Sequence, residues 1–208
     1  MSSHKIISNR QYSDTCFELT LERNGLEYTP GSCASIMGRS YSFCSSPNNY
    51  YIKFIIKRFE NGAVSSKITN LTDKDAIEID EVFSFFYPGH AEKYCYICTG
   101  TGVAPFMSAL MTYSTKPKCI LYGGKTVNDL YFKDYLTNHF DNVHYAVSQE
   151  QTHYPKRVTD LLDKLPISDN MVYYVCGLEG MITDVSKYLF DKGITYNNIQ
   201  QELFYMKI

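Results

Sequence analysis

The segment Thr99-Gly100-Thr101-Gly102-Val103-Ala104-Pro105 constrains the fold of this 208-residue chain more than any other. It follows an apolar, strand-like run, Tyr94–Cys98, and opens a helix expected over Ala104–Tyr113. Pro105 stands near the first helical position, where its missing N–H costs nothing. Glycines let the main chain approach a phosphate, and a helix N-terminus offers N–H donors and the positive end of the dipole. Strand, glycine turn and helix in that order fit a βα unit that holds a nucleotide; they also fit a tight turn that only joins two elements. A second turn of this kind, Val175-Cys176-Gly177-Leu178-Glu179-Gly180-Met181, follows another apolar run. Open α/β sheets bind ligands beyond the carboxyl ends of their strands, so Cys176 would point into such a crevice. A free cysteine taken alone is more often a small buried hydrophobe. Two such turns together favour a nucleotide crevice.

The chain around these turns alternates strand and helix. Strands are expected at Tyr94–Cys98, Cys119–Tyr122, Val143–Val147, Val172–Val175 and Ile199–Phe204, with helices over Asp129–His139, Val158–Leu165 and Met181–Lys192. That pattern predicts a parallel sheet with helices on both faces. The first half reads differently. Thr15–Leu21, Tyr51–Phe59 and Ala76–Ile79 are short β-like runs, separated by the turn signals Asn24-Gly25, Pro30-Gly31, Ser46-Pro47-Asn48-Asn49 and Asn61-Gly62. Such spacing predicts a small antiparallel barrel or sandwich. The boundary is expected near Phe86–Glu92, giving one domain over 1–89 and a second over 90–208.

Composition narrows the function. Twenty basic and 22 acidic residues leave a net charge of −2, which argues against a general nucleic-acid binder. The sequence carries no apolar run long enough for a transmembrane helix and no signal-peptide pattern, so no membrane partner is expected and the chain reads as cytoplasmic. Its seven cysteines are odd in number and irregularly spaced, which predicts free thiols. Only Cys95-Tyr96-Ile97-Cys98 has a metal-like spacing. No second pair completes a zinc or iron–sulfur site, so no metal is expected and the pair is read as packing.

Arg39-Ser40-Tyr41-Ser42 adds a different chemistry in the first half. An arginine can clamp a phosphate, a tyrosine face can stack on a planar ring, and a serine hydroxyl can reach a ring nitrogen. A solvated loop would carry the same residues. The order Arg-x-Tyr-Ser, Gly-Thr-Gly-Val-Ala-Pro, Cys-Gly-x-x-x-Met resembles the ferredoxin/flavodoxin–NADP reductase superfamily, and its bacterial-type members in particular. Tyr28-Thr29-Pro30-Gly31 is similar to that family's Pro-Gly strand. Gly123-Gly124-Lys125 with Asp129-Leu130-Tyr131, Ser148-Gln149-Glu150, Arg157-Val158 and Glu202-Leu203-Phe204 match further segments in order, so the likeness covers nearly the whole chain.

The resemblance implies a six-stranded antiparallel Greek-key barrel that binds FAD. A doubly wound five-stranded parallel sheet of order 3-2-1-4-5 would follow and bind NAD(P). It implies an FAD-dependent ferredoxin/flavodoxin–NADP(+) oxidoreductase, with hydride transfer between nicotinamide C4 and flavin N5 and single-electron exchange with ferredoxin or flavodoxin. On the matching positions Arg39 would hold the flavin phosphate. Tyr41 would stack on the isoalloxazine, beside Ser40, and Ser42 would bond near N5. Ile55, Ile56, Lys57 and Arg58 would line the flavin, and Ala63, Val64 and Ser65 would cradle the pyrophosphate. Gly100, Thr101, Gly102 and Gly177 would meet the nicotinamide dinucleotide, and Thr101 the flavin as well. Cys176 would sit by the nicotinamide, Glu202 would relay a proton, and Phe204 would cover the other flavin face, with Tyr205 as the competing aromatic.

The chain departs from the family pattern at the 2′-phosphate subsite. Arginines usual there become Lys125 and Gln149, leaving Arg157 beside Lys156; NADP(H) still ranks ahead of NAD(H). The usual Gly-Pro-x-Gly between the domains is Phe86-Tyr87-Pro88-Gly89-His90. The chain is also short for the family, so a trimmed adenine site would loosen FAD or admit FMN. Lys53, Lys57, Arg58 and Lys67 could steer an acidic carrier, and equally could form a solvated strand face. Two other readings stay open: an NADH-dependent oxygenase reductase or flavin reductase, which Gln149 favours, and a non-catalytic flavin-fold module. By analogy a monomer is expected.

Overall fold

The computed structural model describes residues 1–59 and 61–203. The chain divides into two compact units, one of Met1–Pro88 with Ala104–Tyr113 and one of Gly89–Val103 with Ser114–Ile208. The first unit holds strands β1 (Ser2–Ser13), β2 (Cys16–Glu22), β3 (Cys33–Ile36), β4 (Arg39–Ser42) and β5 (Tyr51–Lys57). Helix α1 (Ala63–Thr69) and strands β6 (Ala76–Ile79) and β7 (Glu81–Phe83) follow. The strands form two antiparallel sheets, of order β5-β2-β1-β6 and β4-β3-β7.

Two corners close these sheets into a barrel. Strands β6 and β7 are one run bent at Asp80, whose N–H donates to Ser35 O (2.9 Å), so the run passes from one sheet to the other. At the opposite corner β4 and β5 meet through the bridge Phe43–Phe54, reinforced by Cys44 N–H donating to Lys53 O (2.9 Å). Counted this way the barrel has the six strands expected. Side chains alternate along each strand, and Leu19, Leu21, Ala34, Ile36, Ile52, Phe54, Ile56, Ile77 and Ile79 fill the interior. Tyr28 stacks on Phe43 at 3.9 Å.

The longest strand, β1, is one the sequence pattern hides. Ser-Ser-His-Lys-Ile-Ile-Ser-Asn-Arg-Gln-Tyr-Ser is polar, and only His4 and Ile6 are buried. It is a strand because β2 and β6 pair with it on its two sides, which outweighs its weak side-chain preference. His4 is fully buried between Glu22 O (2.9 Å from Nδ1) and Ser2 Oγ (2.7 Å from Nε2).

Helix α2 (Ala104–Leu110) packs with this first unit although it lies among second-half elements in sequence. All seven of its residues are buried. Ser108 Oγ donates to Ser45 O (2.7 Å), and the Phe106 ring lies 5.7 Å from Phe86.

The second unit is a parallel sheet of β8 (Tyr94–Thr99), β9 (Cys119–Gly124), β10 (Val143–Val147), β11 (Val172–Gly177) and β12 (Ile199–Leu203). Its order β10-β9-β8-β11-β12 is the expected 3-2-1-4-5. On one face Cys95, Ile97, Cys119, Leu121, Tyr173 and Val175 pack against helix α4 (Glu179–Asp191) and the 3-10 turn Val158–Lys164. Tyr94, Tyr96, Tyr122 and Tyr174 are buried on the alternate positions, where Tyr94, Tyr96 and Tyr174 cluster with centroids 5.0–6.0 Å apart.

Three helices differ from expectation. The one expected over Asp129–His139 is only α3 (Lys133–His139): Thr126 and Asp129 close a capped 3-10 turn first, and Phe132 takes a left-handed φ of 61°. Val158–Lys164 is 3-10, and α2 ends at Leu110 rather than Tyr113. Cys95 and Cys98, three residues apart on a strand, leave opposite faces. The Cys95 thiol donates to Met171 Sδ (3.2 Å), and burial pushes both thiols up, so neither is poised as a redox thiolate. Among the described residues no helix is long and apolar enough to cross a membrane.

Candidate functional site

In the barrel unit, β4 turns away from β5 beyond the Phe43–Phe54 bridge because it pairs only with β3. The two strands therefore leave a wedge between them. The Lys53 main chain faces this side: its carbonyl accepts from Cys44 N–H and its N–H donates to Ser45 Oγ (2.9 Å). Every second residue of a strand presents its main chain to the same side, so beyond the bridge the Ile55 C=O and the Lys57 N–H and C=O line the wedge. The Ile56 side chain belongs to the barrel core, so it meets the wedge with neither its side chain nor its main chain. Arg58 is drawn back to the β1–β2 turn, its guanidinium 5.0 Å over the Phe17 ring and donating to Asp14 O (3.3 Å).

Across the wedge, Arg39 and Tyr41 share one face of β4, and Ser40 and Ser42 the other. Arg39 is exposed. Tyr41 is half-buried against the rim of the barrel core, and burial raises its phenol. Ser42 is buried with its Oγ 3.3 Å from Cys33 Sγ. Ala63, Val64 and Ser65 form the first turn of α1. The Ser65 hydroxyl is turned inward, accepting from Phe59 N–H (3.3 Å) and donating to Gly62 O (3.4 Å), so this turn can offer a ligand main-chain N–H groups but not that hydroxyl.

In the sheet unit, the two glycine turns lie side by side at the carboxyl ends of β8 and β11. A Cβ on Gly102 would come within 2.5 Å of Cys176 O, and one on Gly177 within 2.3 Å of Thr99 Oγ1. These two glycines are spent on turn-to-turn contact. Gly100 differs: its φ is +54°, and open space surrounds the place of a Cβ. Gly100 is thus free to bring main chain against a ligand. Cys176 is fully buried, and its thiol donates to Glu202 Oε2 (3.7 Å), its register partner on β12. Phe204 and Tyr205 lie outside the described residues.

Lys125, Gln149 and Arg157 come together at the carboxyl ends of β9 and β10. Gln149 N–H donates to Lys125 O (2.7 Å), and Val147 N–H to Pro155 O (2.8 Å), which brings the Pro155–Arg157 segment beside them. Nearby carboxylates are occupied by main chain: Glu150 by Val127 N–H (2.8 Å), Asp160 by Arg157 N–H (2.8 Å). Among the described residues neither Lys125 nor Arg157 forms an ion pair, so both are exposed, uncompensated cations suited to a phosphate.

Known proteins share both the sequence and the fold of this chain. The model of the oxidoreductase NAD-binding domain matches residues 96–187, which span both glycine turns. The ferredoxin–NADP reductase of Azotobacter vinelandii is 27% identical over 195 residues, covering 78% of this chain and 74% of the relative. The chain is similar to the ferredoxin–NADP reductases. It is an oxidoreductase. The superfamily's oxygenase-reductase branch is also similar: the toluate 1,2-dioxygenase electron transfer component of Pseudomonas putida is 27% identical over 222 residues, 95% of this chain and 66% of that one. A ferredoxin NADP+ reductase from Neisseria gonorrhoeae, solved with bound FAD and NADP, shares the fold with a TM-score of 0.86, at 17% identity over 98% of both chains.

Sequence reasoning missed one residue of this site. Tyr122, on β9, is fully buried, and its hydroxyl lies 3.0 Å from Gly100 O. The signal was available: a buried strand tyrosine must find partners for its hydroxyl, and this one stands directly before Gly123-Gly124.

Proposed function

We propose that the chain is an FAD-dependent oxidoreductase that moves electrons between NADP(H) and a one-electron carrier of ferredoxin or flavodoxin type. Residues 1–89 would form the flavin domain and 90–208 the nicotinamide dinucleotide domain. The observation that carries this reading is the pair of stacked glycine turns on neighbouring parallel strands, which leaves Gly100, at a left-handed φ, facing open space.

The donor set fits both groups. The wedge beside β5 offers the Ile55 C=O and the Lys57 N–H and C=O, main-chain acceptors and a donor of the kind that the edge of a flavin ring needs. Tyr41 supplies a stacking face, Arg39 a charge for a phosphate, and the first turn of α1 main-chain N–H groups for a pyrophosphate. The chemistry that a bound flavin would supply is hydride acceptance from nicotinamide and single-electron release, which the side chains do not provide.

The chain's own residues orient and hold. Tyr41 fixes the ring plane, and Ser42 lies on the opposite face of β4, next to Cys33. Thr101 and Gly100 receive the dinucleotide, with Lys125 and Arg157 at its 2′-phosphate. The buried Cys176 thiol, bonded to the half-buried Glu202, gives a pair that can hold a proton at the carboxyl end of β11. For a carrier, Lys57 and Lys67 are available. Lys53 is not, because Glu18 already neutralises it at 2.8 Å. A second reading, an NADH-dependent reductase, draws on Gln149: a neutral amide sits in the cation corner where a second arginine would select a 2′-phosphate.

Incubating the protein with FAD and removing excess by gel filtration tests the flavin assignment. Retained yellow chromophore, lost on Arg39→Ala with Tyr41→Ala, is the expected result. A colourless wild-type protein after the same treatment would refute it, and FMN run in parallel distinguishes the two flavins.

A further inference from the structure

The geometry points to Tyr122 as a positioning residue that sets the orientation of the Gly100–Thr101 peptide and thereby aims the Thr101 N–H at the dinucleotide; this rests on the function proposed above. Tyr122 is buried on β9, and its hydroxyl joins three segments. It lies 3.0 Å from Gly100 O and 3.2 Å from Asp129 O, both acceptors, and it accepts from Tyr131 N–H at 2.9 Å. With the Tyr131 N–H occupying one lone pair, the phenol proton is left for the two carbonyls.

A trans peptide is planar, with its C=O and the following N–H pointing in opposite directions. Holding Gly100 O toward Tyr122 therefore directs the Thr101 N–H away from Tyr122 and away from β9. Thr101 stands in the first turn of the 3-10 segment Gly100–Val103, where N–H groups have no partner within the turn. Gly100, at φ +54° and with open space around it, could rotate this peptide if nothing held its carbonyl. The hydroxyl of Tyr122 is the side-chain group that holds it.

The network behind Tyr122 keeps the hydroxyl in place. Thr126 N–H and Oγ1 donate to Asp129 Oδ2 (3.1 and 3.0 Å), and Tyr131 Oη donates to Asp129 Oδ1 (2.9 Å). The Asp129-Leu130-Tyr131 segment thus supports the turn from behind, without meeting a ligand itself.

The test is Tyr122→Phe in the FAD-loaded protein, with NADP+ affinity measured by calorimetry and steady-state kinetics run with NADPH. Loss of one hydrogen bond predicts a Kd for NADP+ raised about 5- to 10-fold, with KM raised and kcat within about twofold. Tyr131→Phe is the control: it removes the bond to Asp129 Oδ1 and leaves the one to Gly100, so it should lower thermal stability without moving Kd. An unchanged Kd in Tyr122→Phe, or equal Kd changes in both variants, would overturn the inference. Should Tyr122→Phe fail to fold, the wild type answers by amide NMR: the Thr101 resonance shifts on addition of NADP+ if its N–H is aimed at the ligand, and its failure to shift overturns the assignment. A wild type that binds neither NADP+ nor NAD+ would instead refute the function on which the inference rests.

Discussion

Replacing Gly102 by alanine tests the claim that the two glycine turns are locked backbone to backbone. The added Cβ would stand 2.5 Å from Cys176 O and 2.9 Å from its carbonyl carbon, where ordinary contact begins near 3.4 Å. Both neighbours are main chain at the end of β11, paired to β8 and β12, so neither yields without disturbing the sheet. Overpacking of this kind costs about 1–3 kcal/mol. For a chain of this size about 2 kcal/mol corresponds to a fall in Tm of roughly 4–8 °C. Gly180→Ala is the internal contrast: nothing lies within 4 Å of its Cβ, and it sits in α4 with no left-handed φ. Alanine there should stabilise, by about 0.5 kcal/mol. Differential scanning calorimetry on both variants, with NADP+ affinity measured in parallel, reads the difference. Gly102→Ala should melt early and bind NADP+ more weakly. A Gly102→Ala protein as stable as wild type, with unchanged affinity, would show that the turns are not packed as described.

Further outcomes follow from the same structure. Burial, opposed in part by the Ser45 hydrogen bond, pushes the Tyr28 phenol up to about 12. A group whose folded pKa is raised stabilises fully below its unfolded value and loses that contribution as pH rises, so Tyr28 adds to the stability lost between pH ~10 and ~12, by up to about 2–3 kcal/mol. Urea midpoints of Tyr28→Phe should fall less steeply than those of wild type across that window; parallel curves would contradict it. All seven cysteines are buried, with burial raising the thiols of Cys44, Cys95, Cys98 and Cys119. A disulfide reagent should label no thiol rapidly in the folded protein and all seven in urea, and fast native labelling of Cys95 or Cys98 would revive a redox role for the pair. Arg157→Ala should weaken NADPH binding about 10-fold and leave NADH binding within twofold, the loss of one exposed charge-assisted contact to a phosphate; equal effects on both nucleotides would place the 2′-phosphate elsewhere.

The parallel sheet was legible because buried parallel strands are short continuous apolar runs, and the runs at 119–122, 143–147 and 172–175 all lie within strands. Strand β1 was not legible, since pairing on both sides rather than apolar content makes it a strand. The late start of α3 was hidden in Thr126 and Asp129, whose side chains close a 3-10 turn before the helix begins. At the site, chain order marked the glycine turns, yet only geometry separates their glycines: Gly102 and Gly177 serve contact between the turns, whereas Gly100 faces open space at a left-handed φ. The Glu18–Lys53 pair is similarly invisible in sequence, because the residues are 35 positions apart and meet only through the β2–β5 pairing, as diagonal neighbours two residues off register.

The central claim, that a flavin half-site and a nicotinamide half-site serve one electron-transfer reaction, is met most directly by an anaerobic titration. FAD-loaded protein receives NADPH, then in a separate run NADH, while the oxidised-flavin absorbance is followed. Complete bleaching by NADPH at lower concentration than by NADH is the expected result. Bleaching by NADH alone would transfer the protein to the NADH-dependent reductases, and no bleaching by either nucleotide would contradict the account.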